Sequence, residues 1–166
     1  MCHAYRAKST ILQGKLMTLC YPNTDIPFEP SPAFFLGEFD IYDREETLGE
    51  YLNEFDPNDR QQLRQILNEK YFRGRGEMEL SAEHKIVLVR VLAQSLQNPD
   101  YNFSSLFDTD PEDGDVFSLP FDWKIKEPRM FFEEVYRLAT EFWADELREN
   151  KSSFPDLAEL GIPPGN

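Results

Sequence analysis

Three features of this 166-residue chain predict a mainly α-helical fold, a single-domain irregular bundle of about four to five helices. One is the wide apolar face of residues 128–149. Another is a run of helix start and stop signals between Asp43 and Pro99. The third is an even composition, with neither an internal repeat nor a second compositional regime.

The strongest element is the helix expected over residues 128–149, opened by Glu127-Pro128. At about 100° per residue, Phe131, Val135, Leu138 and Phe142 form one stripe. Phe132, Tyr136, Ala139, Trp143 and Leu147 form a second stripe beside it. Together they span roughly half the circumference, wider than the ~100° of an ordinary surface helix. The other half carries Glu133, Glu134, Arg137, Glu141, Asp145, Glu146 and Arg148. Such a helix either packs against two neighbours or lends part of its face to another protein.

The remaining elements follow in chain order. Residues 1–33 read as an extended N-terminal arm, or a first helix, plus a Pro-rich connector. Leu12, Leu16 and Leu19 keep helical spacing, Gly14 weakens it, and Pro22, Pro27, Pro30 and Pro32 leave 21–33 extended. A helical domain is expected over 34–160 and an extended tail over 161–166. A short strand or hairpin is expected near 33–42 and 77–80, with Phe35, Phe39 and Ile41 on one side. Asp43 with Glu46 resembles a capping box opening a helix to Phe55. Asp56-Pro57 opens the next, which runs to Phe72 and is stopped by Gly74 and Gly76. Ser81 caps a third helix to Gln97, stopped by Asn98-Pro99. Its β-branched middle, 85–92, also suits a strand, but length and the cap favour helix. Residues 99–126 read as loop with one helical turn at 103–107. A short helix at 155–160 ends at Gly161.

Aromatic residues make up 14% of the chain, which excludes a disordered acidic polymer. The formal net charge is −14. That argues against direct binding of nucleic acid or of an anionic membrane surface, both of which need a basic face. It favours a basic protein partner. The two cysteines, Cys2 and Cys20, are too few for a disulfide framework. Met1–Lys15 lacks the apolar core of a signal peptide, and no apolar run approaches ~18 residues. A cytoplasmic, reducing location is expected.

Charge is unevenly placed. Residues 38–56 hold eight acids against Arg44 alone, residues 60–90 hold seven bases against four acids, and residues 108–115 hold five acids and no base. Such a dipolar surface steers a partner or drives head-to-tail self-association into a homo-oligomer.

Catalytic and metal-binding motifs are missing at the sequence level. The run from Asp108 to Asp115 fails the EF-hand pattern, with Asp113 where Gly is needed and Leu119 where Glu is needed. A solvated acidic loop is expected. Cys2, His3, Cys20 and His84 show no metal-ligand spacing, so no metal and no cofactor is expected. Cys20 is expected as a small apolar residue and His84 as an exposed first-turn residue. A Cys20–His84 nucleophilic pair would need the fold to bring them together. No Glu-x-x-His occurs, which removes a di-iron bundle site. Arg73 and Arg75 form a weak candidate anion grip, although a basic helix end stopped by glycine explains them more simply. Phe117, Leu119, Phe121, Trp123 and Ile125 alternate along an extended stretch. It reads either as a strap over the long helix or as an interface patch anchored by Trp123.

The function expected is a non-catalytic acidic protein-binding module, such as an inhibitor or immunity-type protein docking on a basic surface. Glu45, Glu46, Glu50, Asp110, Glu112, Asp113 and Trp123 are its expected contact residues. The alternatives are an enzyme or small-molecule-binding protein with an aromatic-lined pocket, and a structural subunit of a homo-oligomer.

Overall fold

Proline and serine decide how the chain enters its core. The computed structural model describes residues 18–74, 79–108 and 117–165, with the backbone alone for 151–153. Residues 19–28 turn back on themselves: Phe28 N–H donates to Leu19 O at 2.8 Å and Tyr21 N–H to Ile26 O at 2.8 Å. This places Phe28 inside, against Tyr21, Phe34 and His84. Ser31 Oγ then accepts from Ala33 N–H, and Pro32 starts a 3-10 helix, Pro32–Phe39. This helix replaces the strand expected at 33–42. Phe35, its neighbour Leu36 and Phe39 are all fully buried. Consecutive residues cannot share one face of a strand, but they can share a helical stripe. The second expected strand, at 77–80, lies partly outside the described residues, and Glu79 and Leu80 are irregular.

The Asp43 capping box does not form. Asp43 takes φ 56°, the left-handed region that a short polar side chain tolerates, and the chain starts a π-helical turn at Glu45–Gly49 with no side-chain cap. Helix α1 (Glu50–Asn53) follows and stops before Phe55. Helix α2 (Arg60–Ile66) is capped by Asp59, not Asp56: Asp59 Oδ1 accepts from Gln61 N–H at 2.9 Å and Gln62 N–H at 3.0 Å. Asp56 instead ties the preceding turn, accepting from the Asn58 backbone and side chain, which holds its carboxyl below the usual range. The chain continues as a π-helix, Leu67–Phe72. Gly74 ends it as expected, because a Cβ there would lie 2.6 Å from Glu69 O.

Helix α3 (Ala82–Gln97) has the cap and length the sequence implies. A 3-10 helix, Phe103–Phe107, occupies the expected turn. Helix α4 (Pro128–Phe142) is shorter than 128–149, since Trp143 leaves helical geometry (φ −104°, ψ 21°). Helix α5 (Ala144–Leu147) and a 3-10 helix, Arg148–Ser153, carry the chain on. Residues 155–160 form turns and no helix; Ile162 N–H closes onto Leu157 O at 2.9 Å while Gly161 takes φ 70°.

Helix α4 is the axis of the fold, packed by α2, α3, the π-helix and Phe103–Phe107. Every residue from Met130 to Ala139 is buried, including the polar half of the helix at Glu133, Glu134 and Arg137. Among the described residues no sheet forms; Cys20 and Pro27 make one isolated bridge.

Candidate functional site

Two polar arrangements distinguish this fold, one buried beneath the C-terminal tail and one on the surface. The buried one surrounds Glu134, whose side chain has no exposed surface. Its carboxylate accepts from Arg60 Nη1 at 2.8 Å, Arg64 Nε at 3.0 Å and Arg137 Nε at 3.3 Å. Glu133 takes Arg60 Nη2 at 2.8 Å and Arg129 Nε at 3.1 Å. The remaining donors of the fork reach backbone: Arg129 Nη1 to Leu96 O at 2.9 Å, Arg129 Nη2 to Leu160 O at 3.1 Å, and Arg137 Nη2 to Pro163 O. The tail therefore lies over α4, with Ile162 buried. A charged group inside a protein persists only when paired and hydrogen-bonded, and these are. This network went unnoticed in the sequence. The signal that points to it is Arg60 and Arg64 four apart on one helix, set against Glu133 and Glu134 flanked by Arg129 and Arg137.

It also redraws the basic half of the sequence. Arg60 and Arg64 are committed to Glu133 and Glu134, Lys85 pairs with Glu146, and Lys70 lies over the Tyr51 ring at 4.0 Å. Three of the seven bases of residues 60–90 are thus paired with carboxylates of the fold itself, which weakens the dipole expected from the sequence.

The surface arrangement is a groove of about 540 Å³ between Phe103–Phe107 and the irregular residues 117–125. Ile41, Phe107, Leu119, Trp123, Ile125 and Pro128 supply apolar wall, and Glu45 and Asp108 are its two charged lining residues among the described residues. The fold brings together here three stretches that the sequence kept apart: the acids of 38–56, the start of the acidic run at 108, and the aromatic segment. Trp123 is buried at the groove wall, its indole N–H donating to Leu52 O at 3.0 Å. It is an anchored core residue rather than a free contact. Phe121 is the opposite case, 92% exposed at the groove. Strand alternation would have buried it with Leu119, but a turn at Pro120, closed by Trp123 N–H to Pro120 O at 2.9 Å, turns it out.

Glu46 and Glu50 are exposed beside Glu45. Asp110, Glu112 and Asp113 lie outside the described residues, as does Arg75. Arg73 is exposed with its guanidinium 5.7 Å from the centre of the Phe142 ring, away from the groove lining.

His84 is buried, not exposed as expected, and it does meet Cys20. The contact is to backbone: His84 Nε2 donates to Cys20 O at 2.7 Å while Nδ1 accepts from Ser81 N–H at 3.2 Å. A carbonyl only accepts and an amide N–H only donates, so the proton sits on Nε2. The residue caps α3 and pins residues 19–28. Cys20 itself is disulfide-bonded, so it offers no thiolate nucleophile.

A second cavity, about 320 Å³, lies between α4 and residues 154–157 and is lined by Tyr136, Thr140, Leu147, Phe154 and Leu157 with Asp145, Arg148 and Asp156. Tyr136 OH donates to Pro155 O at 2.7 Å, and burial pushes its pKa up to about 12. Among the described residues no three of His, Cys, Asp and Glu converge to hold a metal ion, and no helix is long and apolar enough to cross a membrane.

Fold and surface together define an acidic helical protein with an apolar groove whose charged lining residues, among those described, are both carboxylates. Comparison with protein-family models, with curated proteins and with solved structures finds no match to this chain.

Proposed function

We propose that this protein is a non-catalytic acidic binding module, of inhibitor or immunity type, that docks on a basic surface of another protein. The observation that carries this reading is the meeting of Glu45, Asp108 and the exposed Phe121 at one groove. Singly exposed apolar residues are ordinary, but an exposed aromatic at an apolar groove with an acidic lining suits an interface. The net charge of −14 supplies the long-range attraction.

The test uses immobilised protein challenged with folded proteins graded in net charge, with association followed at rising salt. A basic binder is expected whose on-rate falls as salt rises and falls again in the Glu45→Lys, Glu46→Lys, Glu50→Lys triple variant. If the binder is an enzyme, its activity should be lost at one equivalent. Binding that ignores both salt and the triple reversal overturns the reading.

A second reading, a small-molecule binder, is favoured by the 320 Å³ cavity beside Tyr136, which falls within the size range of ligand sites. Native mass spectrometry of protein purified from its source would show a co-purifying small molecule under that reading.

A further inference from the structure

We infer that the groove between Phe103–Phe107 and residues 117–125 receives an extended segment of the partner, one bulky apolar side chain flanked by Lys or Arg. The inference rests on the proposal that the partner is basic and says which part of it binds, and how.

Charge selects the flanking residues. Among the described residues, Glu45 and Asp108 are the charged lining residues of the groove, and no base lines it. Asp40 sits just behind, its carboxylate accepting from Ser118 N–H at 3.0 Å and Tyr42 N–H at 3.1 Å. Arg44, Lys124, Lys126 and Arg129 flank lining residues in sequence; Arg44 donates to Asp40 O, and Arg129 is held by Glu133, Leu96 O and Leu160 O. None of the four is among the lining residues, and Lys124 and Lys126 lie on a stretch held to Asn58 through Lys124 O and Lys126 N–H.

Volume and surface select the central residue. A groove of about 540 Å³ admits large side chains. Phe121, at 92% exposure, gives up no packing inside the fold when it closes over an inserted apolar group. Large aromatic side chains contribute strongly at interfaces because they remove much apolar area from water.

The backbone selects an extended chain. Residues 117–120 belong to no helix or turn, and Ser118 is already paired on one side through Ile41 N–H to Ser118 O at 2.7 Å. Neither the N–H nor the C=O of Leu119, the next residue, hydrogen-bonds to any other described residue. A non-helical stretch with a free N–H and C=O can pair with an added extended chain, which supplies affinity through the backbone while pockets choose alternate side chains.

A second copy of this chain is a poor occupant. Each copy carries a charge of −14, and Arg60, Arg64 and Lys85 are already held by carboxylates of their own fold.

The experiment uses the full chain and a fluorescein-labelled peptide alternating Lys with Leu and Phe, read by fluorescence anisotropy at low salt. Three comparison peptides are an all-Lys chain, the same alternating sequence N-methylated at its amides, and a stapled helix of the same composition. The alternating peptide should bind best, and N-methylation and the helical staple should each weaken it. Phe121→Ser and Asp108→Lys should each weaken it about tenfold, the scale of losing one anchor or charge contact. Both residues are exposed, so an unchanged melting temperature shows that the fold is intact. Equal binding of the all-Lys or helical peptide, or indifference to Phe121→Ser, overturns the inference. If no peptide binds while a folded basic protein still does with a salt-dependent on-rate, the groove inference falls and the basic-partner reading stands. If neither binds, both fall.

Discussion

Arg60 Nη1 lies 2.8 Å from Glu134 Oε1, joining α2 to a carboxylate with no exposed surface. The two partners are not equivalent. Glu134 has three guanidinium neighbours, whereas Arg60 is about one-third exposed and also bonded to Glu133.

Glu134→Gln should therefore destabilise more than Arg60→Ala. Removing the shared carboxylate charge leaves Arg60, Arg64 and Arg137 crowded together with one acceptor fewer, and breaking a buried pair costs about 3–5 kcal/mol. Removing Arg60 loses two partly exposed charge-assisted bonds but leaves Glu134 held by Arg64 and Arg137 and Glu133 held by Arg129, a loss of ~2 kcal/mol. Denaturant midpoints of the two variants decide this; equal losses would mean that Arg60 alone carries the network.

Arg129 uses its planar fork on Glu133, Leu96 O and Leu160 O at once. Lysine carries a single ammonium and cannot span that geometry. Arg129→Lys should cost ~1.5 kcal/mol and speed amide hydrogen exchange at Ile162, where the tail folds over α4. Unchanged exchange there would show that the tail is held without Arg129.

Trp143→Ala should cost roughly 3–5 kcal/mol. The indole is 8% exposed and packs 6.3 Å from Phe35 and 5.4 Å from Phe72, ring centre to ring centre. An unmoved denaturant midpoint would contradict a buried role for the indole.

Acid should weaken the fold through carboxylates that its hydrogen bonds hold ionised. The Lys85 ammonium holds Glu146 below its ordinary value of 4.5, and the Tyr51 hydroxyl does the same for Glu69. A folded pKa below the unfolded one gives stability that is present above pH 4.5 and lost as pH falls through the folded value. Melting temperature should thus fall on acidification below that point, and Glu146→Gln should flatten the decline. A melting temperature level down to pH 2 would show that these pairs contribute nothing.

Local chemistry was legible in the chain itself. Ser81 before Ala82–Gln97, Gly74 after the π-helix, Pro128 at the head of α4 and the turn at Phe103–Phe107 all follow from neighbours in sequence. Caps, prolines and glycines act over three or four residues, so a linear reading reaches them. The same reach failed where two local solutions compete: Asp59 won the cap from Asp56, and Phe35 with Leu36 joined a helical stripe instead of a strand. What the sequence by itself determined is a helical chain organised on the apolar stripes of α4, with a large acidic excess. Only the tertiary structure decided that the polar half of α4 is buried, because Arg60 and Arg64 arrive from about seventy residues away to neutralise Glu133 and Glu134. It alone also set Glu45, Asp108 and Phe121 around one groove. Long-range packing places such residues, and no local propensity records it.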